Sequence, residues 1–406
     1  MRVLLIAHMF PLNSADVTCS RVVVRQAMEL ESMGAEVVVV APIPAVPWLL
    51  RCLRSRWRGF FAVPNRERVK GLEVIHPRYV QFPRSLSLAS DGRRVAEATR
   101  RAMAQYWPGT AFDIVHAHFG HPDGAAACII GRHLAIPVVV TFQGTDVDFT
   151  VQRSRACHQA LDRVVEQATV VIAPSPSMAL KLWGKLHCRA TTIAYGTDVE
   201  PPEQQREGSC HISDGRLHVV SVSQLIRTKW IDIALRAIDR LSRGGTPVEY
   251  TIVEDGPCRT ELEQLSKSLS LNDVVTFVGW QDRSHVNAFL RKATIFCLPS
   301  WQETLGVAYL EAMSAGLAVI ACRGVGVDGI VEHDVTGLLV PARDVGAVAG
   351  ALRWSSEHAS ESAAIGKRAQ DLVYGEYTWK STTQVLMELY QRSIEAANRG
   401  QAGGTD

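Results

Sequence analysis

Two carboxylates raise the chemical question. Glu303 and Glu311, with seven residues between them, lie in CLPSWQETLGVAYLEAMSAGLAVIAC, residues 297–322. The first follows an apolar strand-like run ending in Pro-Ser; the second lies inside an apolar helical stretch opened by Gly306. At about 1.5 Å of rise per residue, Gly306 and Glu311 stand ~7.5 Å apart along a helix, comparable to the span from a diphosphate to a ribose or sugar ring. The N–H groups of Leu305 and Gly306 would begin that helix, and a helix start, with unpaired donors and roughly half a positive charge, suits a phosphate. Carboxylates accept hydrogen bonds from vicinal hydroxyls, so a nucleotide-sugar accounts for both acids and the helix start together. An isolated pair at this spacing reads more plainly as a solvated loop acid and an acid in a core network.

Other residues extend the pattern. SVSQLIRTKW, residues 221–230, ends a strand-like run, which places Lys229 to meet a phosphate as a point charge, with Arg227 as a second cation. DIVHAHFGHPDG, residues 113–124, holds His116, His118 and His121. On an extended strand His116 and His118 point to one side, and one of them reads equally as a satisfied buried histidine. The H-x-H-x-x-H pattern lacks a second ligand set at matching spacing, so no metal is expected. TFQGTDV, residues 141–147, puts Gly144 and Asp146 after another strand; Asp146 either binds acceptor hydroxyls or caps the following helix.

The elements that must position these residues are legible as alternating strands and helices. RVLLIA, EVVVVAP, DIVHAHF, PVVVTF and TVVIAPS in the first half, and HVVSVS, EYTIVED, VVTFVG, TIFCLPS and LAVIAC in the second, are continuously rather than alternately apolar. Such strands are buried on both faces of parallel sheets. Two sets predict an α/β chain of two doubly wound, Rossmann-like domains, with functional residues at the carboxyl ends of the strands. At 406 residues the length agrees. The polar stretch near 195–214 suggests domains at 1–195 and 196–375, then a helix over 376–399 packing back towards the first domain and a disordered tail over 400–406. Residues 1–195 hold 23 Lys/Arg against 14 Asp/Glu, and residues 196–406 hold 20 against 27, which suits domains with different partners. The nine cysteines show no Cys-x-x-Cys pair and suggest a reducing cytosol. No apolar run reaches the 18 residues of a membrane span, and MRVLLIAHMFP reads as a first buried strand.

With its flanks, the segment around the two acids resembles the signature of family 4 glycosyltransferases. The matching residues are Leu298-Pro299-Ser300, Glu303, Gly306, Glu311-Ala312-Met313, Gly316, the run Ala318–Ile320, and Thr336-Gly337-Leu338-Leu339-Val340-Pro341. Upstream the match extends through Glu254-Asp255-Gly256-Pro257 and Val278-Gly279. The resemblance implies the GT-B fold, with two domains facing each other across a cleft. It also implies a retaining, metal-independent hexosyl transfer from a nucleoside diphosphate sugar, UDP- or GDP-linked, to a saccharide or lipid-linked saccharide, with no cofactor. By that resemblance Glu303 contacts the donor sugar, Glu311 the ribose and His118 the sugar side of the cleft. Thr304, Leu305 and Gly306 flank the donor, with Lys229, Arg227 and Gln224 at the diphosphate. Gly144, Asp146, Asn13 and Ser14 are then acceptor or cleft candidates. The chain departs from the family pattern at Gln224 for Arg, Trp230 for Gly, Glu254 for Gly and Gln143 for His. These departures leave a second reading, a catalytically impaired protein acting as a nucleotide-sugar-binding or partner-dependent subunit.

Residues 46–70 of the acceptor-side domain carry seven Lys/Arg and one Glu, with Trp48, Trp57, Phe60 and Phe61 interleaved. No nucleic-acid motif accompanies them. The pattern suits a peripheral contact with an anionic membrane, at its cytoplasmic face, slightly better than a surface loop packed on its own domain.

Overall fold

The Val- and Ile-rich runs form two parallel sheets, and the way the sheets are wound decides where the loops with the acids and histidines fall. The computed structural model describes residues 1–11, 21–45, 55–82, 88–199 and 215–402. In chain order the first ten strands are β1 (Arg2–Ile6), β2 (Glu36–Val40), β3 (Ile43–Pro44), β4 (Arg66–Val69), β5 (Leu72–Ile75), β6 (Arg78–Tyr79), β7 (Ile114–His118), β8 (Val138–Thr141), β9 (Val170–Ala173) and β10 (Thr191–Thr192). Eight of them make one sheet in the order β10-β9-β8-β7-β1-β2-β5-β4, and β3 pairs with β6 separately. Within the large sheet only β4 and β5 run antiparallel.

The second sheet contains β11 (Leu217–Val222), β12 (Val248–Val253), β13 (Val275–Gly279), β14 (Ile295–Cys297), β15 (Ala318–Cys322) and β16 (Leu338–Val340). Its order is β13-β12-β11-β14-β15-β16, parallel throughout. Both sheets are wound alike: the strand order turns back between β1 and β7 in one and between β11 and β14 in the other. Such a turning point opens a crevice at the carboxyl ends of the two strands, the place where α/β sheets hold ligands.

Burial explains the sequence pattern. Val3, Leu4, Leu5 and Ile6 are all fully buried, as are Ile295, Phe296 and Cys297, so each strand must be apolar on both faces. The chain divides into two units: Met1–Pro174, Ala179–Tyr195 and Thr382–Asp406 make the first, and Ser175–Met178 with Gly196–Ser381 make the second. The last described helix, Trp379–Ala402, supplies Leu386, Leu389 and Tyr390 to the core cluster that holds Val3, Leu5, Val37 and Val39.

That helix starts three residues later than the sequence suggests, because Thr378 caps it: its Oγ1 accepts the Ser381 N–H at 3.0 Å. It also continues through Ala402, so residues 400–402 are helical rather than a disordered tail. Gly400 costs a helix only about 1 kcal/mol, too little to end one 24 residues long. Residues 403–406 lie outside the described residues. Of the basic, aromatic segment, 46–54 lie outside them too; Ser55–Ala62 is a helix, and residues 66–69 are not a loop but β4, an edge strand on β5. The Arg78 guanidinium ties the helix down by donating to the carbonyls of Phe60 at 2.9 Å and Val63 at 2.7 Å. Among the described residues six cysteines are free, and no helix is long and apolar enough to cross a membrane.

Candidate active site

In the second unit the crevice falls between the loops after β11 and β14. The loop after β11 carries Lys229 in a short turn, Arg227–Lys229; the loop after β14 carries Glu303. The Lys229 ammonium ion-pairs directly with the Glu303 carboxylate, and their side chains are 17% and 10% exposed. The two loops are also joined by backbone: the Trp301 N–H donates to the Thr228 carbonyl at 3.2 Å, and the Ser300 hydroxyl donates to the same oxygen at 3.1 Å. The sequence-predicted cation and acid are thus brought together at one point.

The Glu303 loop is held from a second side. Ser175 and Ser177, both buried, follow β9 in sequence yet belong to the second unit. The Ser175 hydroxyl donates to the Thr304 carbonyl at 2.5 Å, and the Ser177 hydroxyl to the Gly326 carbonyl at 3.1 Å. The Gly326 N–H in turn donates to the Glu303 carbonyl at 3.3 Å. Sequence reasoning missed these serines; the signal was two polar side chains in APSPSMA, directly after a buried strand. Gly306, at φ 81°, is the turn from which the helix Val307–Ser314 departs, one residue later than expected. A Cβ there would stand 2.5 Å from the Tyr309 ring, so the position requires glycine on conformational and steric grounds. Leu305 is buried beneath the turn.

Glu311 lies within that helix, and Arg283 comes to 3.8 Å from its carboxylate. Arg283 also pairs with Asp198. The guanidinium, unforeseen from sequence, stands in the first turn of the helix Arg283–Lys292, which Asp282 caps by accepting the His285 N–H at 3.0 Å. Arg227 is not part of this group. It pairs with Glu261 at 3.1 Å and is 80% exposed, because its position in the turn aims it towards the helix Arg259–Ser268. The Gln224 side chain is exposed beside it in sequence, so neither residue replaces the missing arginine next to Lys229. Two of the departures from the family pattern have a backbone cost: Trp230 stands at φ 47° and Glu254 at φ 98°, positions where glycine is the unstrained residue.

The first unit has its own crevice, between the loops after β1 and β7. His8 donates its backbone N–H to Asp123 at 3.0 Å, and its Nδ1 lies 2.7 Å from the same carboxylate oxygen. The His8 ring packs against Phe119, centroids 4.8 Å apart, and Phe119 holds a strained φ of 76°. Neither His8 nor Asp123 was singled out from the sequence, although HPDG contains the acid.

His116 and His118 do face one side, with ring centroids 4.5 Å apart. His116 is the satisfied core histidine: Nδ1 meets the Tyr390 hydroxyl at 2.5 Å and Nε2 the Thr141 hydroxyl at 2.8 Å. His118 differs. Its Nδ1 lies 3.3 Å from both the Tyr195 hydroxyl and the Gln143 amide, while its buried Nε2 has no partner among the described residues. Burial holds the His118 imidazole down to about 3 and keeps His116 well below its ordinary value, so both are neutral at neutral pH. His121 is also lowered by burial, against the Leu88 carbonyl and the Asp91 and Asp123 carboxylates, which raise it.

Asp146 is fully buried, and burial raises its carboxyl to about 7 against N–H donation from Gln143 and Gly120. Its Oδ2 accepts the Gln143 N–H at 3.0 Å. The helix cap expected of Asp146 is not observed: the residue stands in the first turn of the segment Asp146–Thr150 and accepts from the N–H of Gln143, which precedes it, fixing the backbone at Gln143–Gly144. Gly144 is buried in the same turn, where its carbonyl accepts the Asp148 N–H at 2.8 Å. Asn13 and Ser14 lie outside the described residues.

A model described as Glycosyltransferase Family 4 matches residues 19–201, and one described as Glycosyl transferases group 1 matches residues 205–372. TuaC of Bacillus subtilis (strain 168), a glycosyltransferase whose name assigns it to teichuronic acid biosynthesis, is 31% identical over 310 residues, covering 74% of this chain and 75% of its own. Sucrose-phosphate synthase from Thermosynechococcus elongatus superposes with a TM-score of 0.76 at 22% identity, over 97% of this chain and 99% of its own. HepE from Anabaena, solved in complex with UDP, gives 0.70 at 16% identity, over 97% and 100%. These structures carry the GT-B fold of two Rossmann-like domains with parallel sheets. The chain belongs to the family 4 glycosyltransferases.

Proposed function

We propose that the protein transfers a hexose from a UDP- or GDP-linked donor to a hydroxyl of a saccharide or lipid-linked saccharide, with retention at the anomeric carbon and without a metal. The observation that carries this is the Lys229–Glu303 pair at the turning point of the second sheet, directly before the helix that bears Glu311. Bound donor exchanges the partners of that pair: Lys229 takes the diphosphate, and Glu303 is released to the hydroxyls of the sugar. The amides around Leu305 and Gly306 and the positive start of the helix share the phosphate charge. Glu311, beside Arg283, accepts from the ribose. As the glycosidic bond breaks, charge grows on the leaving diphosphate, and donors already aimed at it lower the barrier. The departing phosphate removes the proton of the acceptor hydroxyl on the same face. TuaC and HepE support a surface-polysaccharide acceptor and a uridine donor respectively. The setting that fits is the cytoplasm at the inner face of a membrane.

Titration calorimetry with UDP-, GDP- and ADP-sugars, repeated on Glu311→Ala with nucleotide release followed in parallel, tests the proposal. One donor class is expected to bind, to be hydrolysed slowly by the wild type, and to lose at least about tenfold in affinity in the variant. Failure of all three classes to bind refutes it. The strained backbone at Trp230 and Glu254 favours a second reading, a donor-binding subunit impaired in catalysis; binding without nucleotide release under any acceptor would select it.

A further inference from the structure

Arg227, paired with Glu261 rather than with the Lys229–Glu303 group, lines a cavity of about 550 Å³ in the second unit. That volume lies within the ~300–1,000 Å³ of small-ligand sites. Its walls come from the start of the helix Ile231–Arg243, the helix Arg259–Ser268, and the loops after β14 and β16. Trp230 and Trp301 stack at its edge, centroids 5.5 Å apart and planes within 12°. The Arg343 guanidinium lies over both rings, 5.0 Å from one centroid and 5.9 Å from the other.

Two features indicate that this shelf is more than incidental packing. Trp230 at φ 47° and Arg343 at φ 59° are both non-glycine residues in left-handed backbone, and both project onto the same shelf. Strain of this kind persists where the surroundings over-determine it, and it clusters at ligand sites. The charges are also unbalanced. Arg227 and Glu261 neutralise each other at 3.1 Å. That leaves Arg236 and Arg343 against Asp232, and among the described residues neither arginine has a carboxylate partner. The cavity therefore carries one positive charge in excess beside an aromatic platform whose outer ring, Trp301, is 38% exposed.

We propose that this cavity is a subsite for an acidic saccharide, a short oligosaccharide bearing a carboxylate. The apolar C–H face of a pyranose ring lies on an indole, and a uronate carboxylate takes a guanidinium fork. A nucleobase would stack on the same exposed indole, but it brings no carboxylate to the guanidinium of Arg236 or Arg343. This inference rests on the chain's being a saccharide-processing glycosyltransferase, but places the ligand outside the Lys229–Glu303 crevice.

The test is calorimetric titration of the full chain with trigalacturonate, with maltotriose as the neutral control and UDP as the donor-site probe. Trigalacturonate is expected to bind at least about tenfold more tightly than maltotriose, with UDP neither competing nor enhancing. Arg343→Gln and Arg236→Ala should each weaken trigalacturonate about fivefold to tenfold, leaving maltotriose and UDP unchanged; Trp301→Leu should weaken both saccharides. Absence of trigalacturonate binding, equal binding of the neutral trimer, wild-type affinity in Arg343→Gln, or competition by UDP would each overturn the assignment. Failure of UDP, GDP and ADP alike to bind the wild type would instead sink the donor-site reading, so the two failures are distinguishable.

Discussion

The two units solve the same topological problem with different chemistry. Each sheet turns back at its centre, and in each a basic side chain after one strand meets a carboxylate after its neighbour: His8 with Asp123 in the first, Lys229 with Glu303 in the second. What surrounds the pairs differs. Around the first, His116, His118, His121 and Asp146 are all at most 5% exposed, and desolvation keeps the imidazoles neutral. Around the second, Arg283, Asp198 and Glu311 are 45%, 33% and 25% exposed and face one another as ion-pair partners. The first crevice is a buried network whose side chains are mostly held by their neighbours, the His118 Nε2 excepted. The second uses charged side chains that can trade one partner for another, as a site for an anionic ligand must.

That contrast is broken most directly at Glu303. Glu303→Ala should cut donor turnover at least about 100-fold, and it should also cost stability, because Lys229, 17% exposed, loses its partner. Near-normal turnover at a temperature where the variant is folded would show that the Lys229–Glu303 pair is structural. In the first unit the expected loss is one of stability. Tyr390→Phe strips His116 Nδ1 of its buried partner and should destabilise by about 1–3 kcal/mol in denaturant titration; an unchanged midpoint would deny the first crevice its tied-down character.

The pH dependence sharpens the comparison further. A histidine whose folded value lies below 6.5 binds fewer protons folded than unfolded between those values, so its contribution is complete above pH 6.5 and is lost as pH falls. His116, His118 and His121 all act in this direction. Asp146, raised to about 7, acts oppositely between about 4 and 7, and Glu31, raised by its burial, acts with it, but His76, lowered by burial, makes four histidines against two carboxylates. Melting temperature should therefore fall from pH 6.5 to 4.5, at up to ~1.4 kcal/mol per pH unit for each histidine. His118→Gln should flatten that slope, and a slope equal to wild type would show that His118 titrates normally. The smallest effect is expected at Glu254→Gly, which removes the strain of φ 98° but adds unfolded-state freedom. Those terms leave a gain of under about 1 kcal/mol, visible as a small rise in the denaturant midpoint; a loss would mean that the Glu254 side chain holds the turn.

The fold was legible because parallel strands buried on both faces leave uninterrupted Val and Ile runs, and the strand ends then fix where Lys229 and Glu303 must emerge. Side-chain direction was less legible. Arg227 and Lys229 are two residues apart, yet a single turn sends one to Glu261 and the other to Glu303. Asp146 could not be told from an exposed acid, because its burial depends on Gln143, Gly120 and His121, the latter two more than 20 residues away in sequence. Ser175, Ser177, Arg283 and the His8–Asp123 pair were missed for the same reason: each acts across a long sequence separation, and only the winding of the sheets brings it to its place. The strain at Trp230 and Glu254 was visible only as departures from a family glycine, and the backbone angles give those departures their physical content.

The helix that crosses from the second unit back to the first has a consequence for biogenesis. Leu386, Leu389 and Tyr390 belong to the core cluster of β1 and β2, yet a ribosome delivers them only after every strand of the second sheet. A nascent chain that has reached β16 holds a finished second sheet and a first sheet still lacking part of its apolar cover and the hydroxyl that satisfies His116. The half that is translated first is thus completed last, and the interval is when its exposed strand face is most open to chaperones and to aggregation.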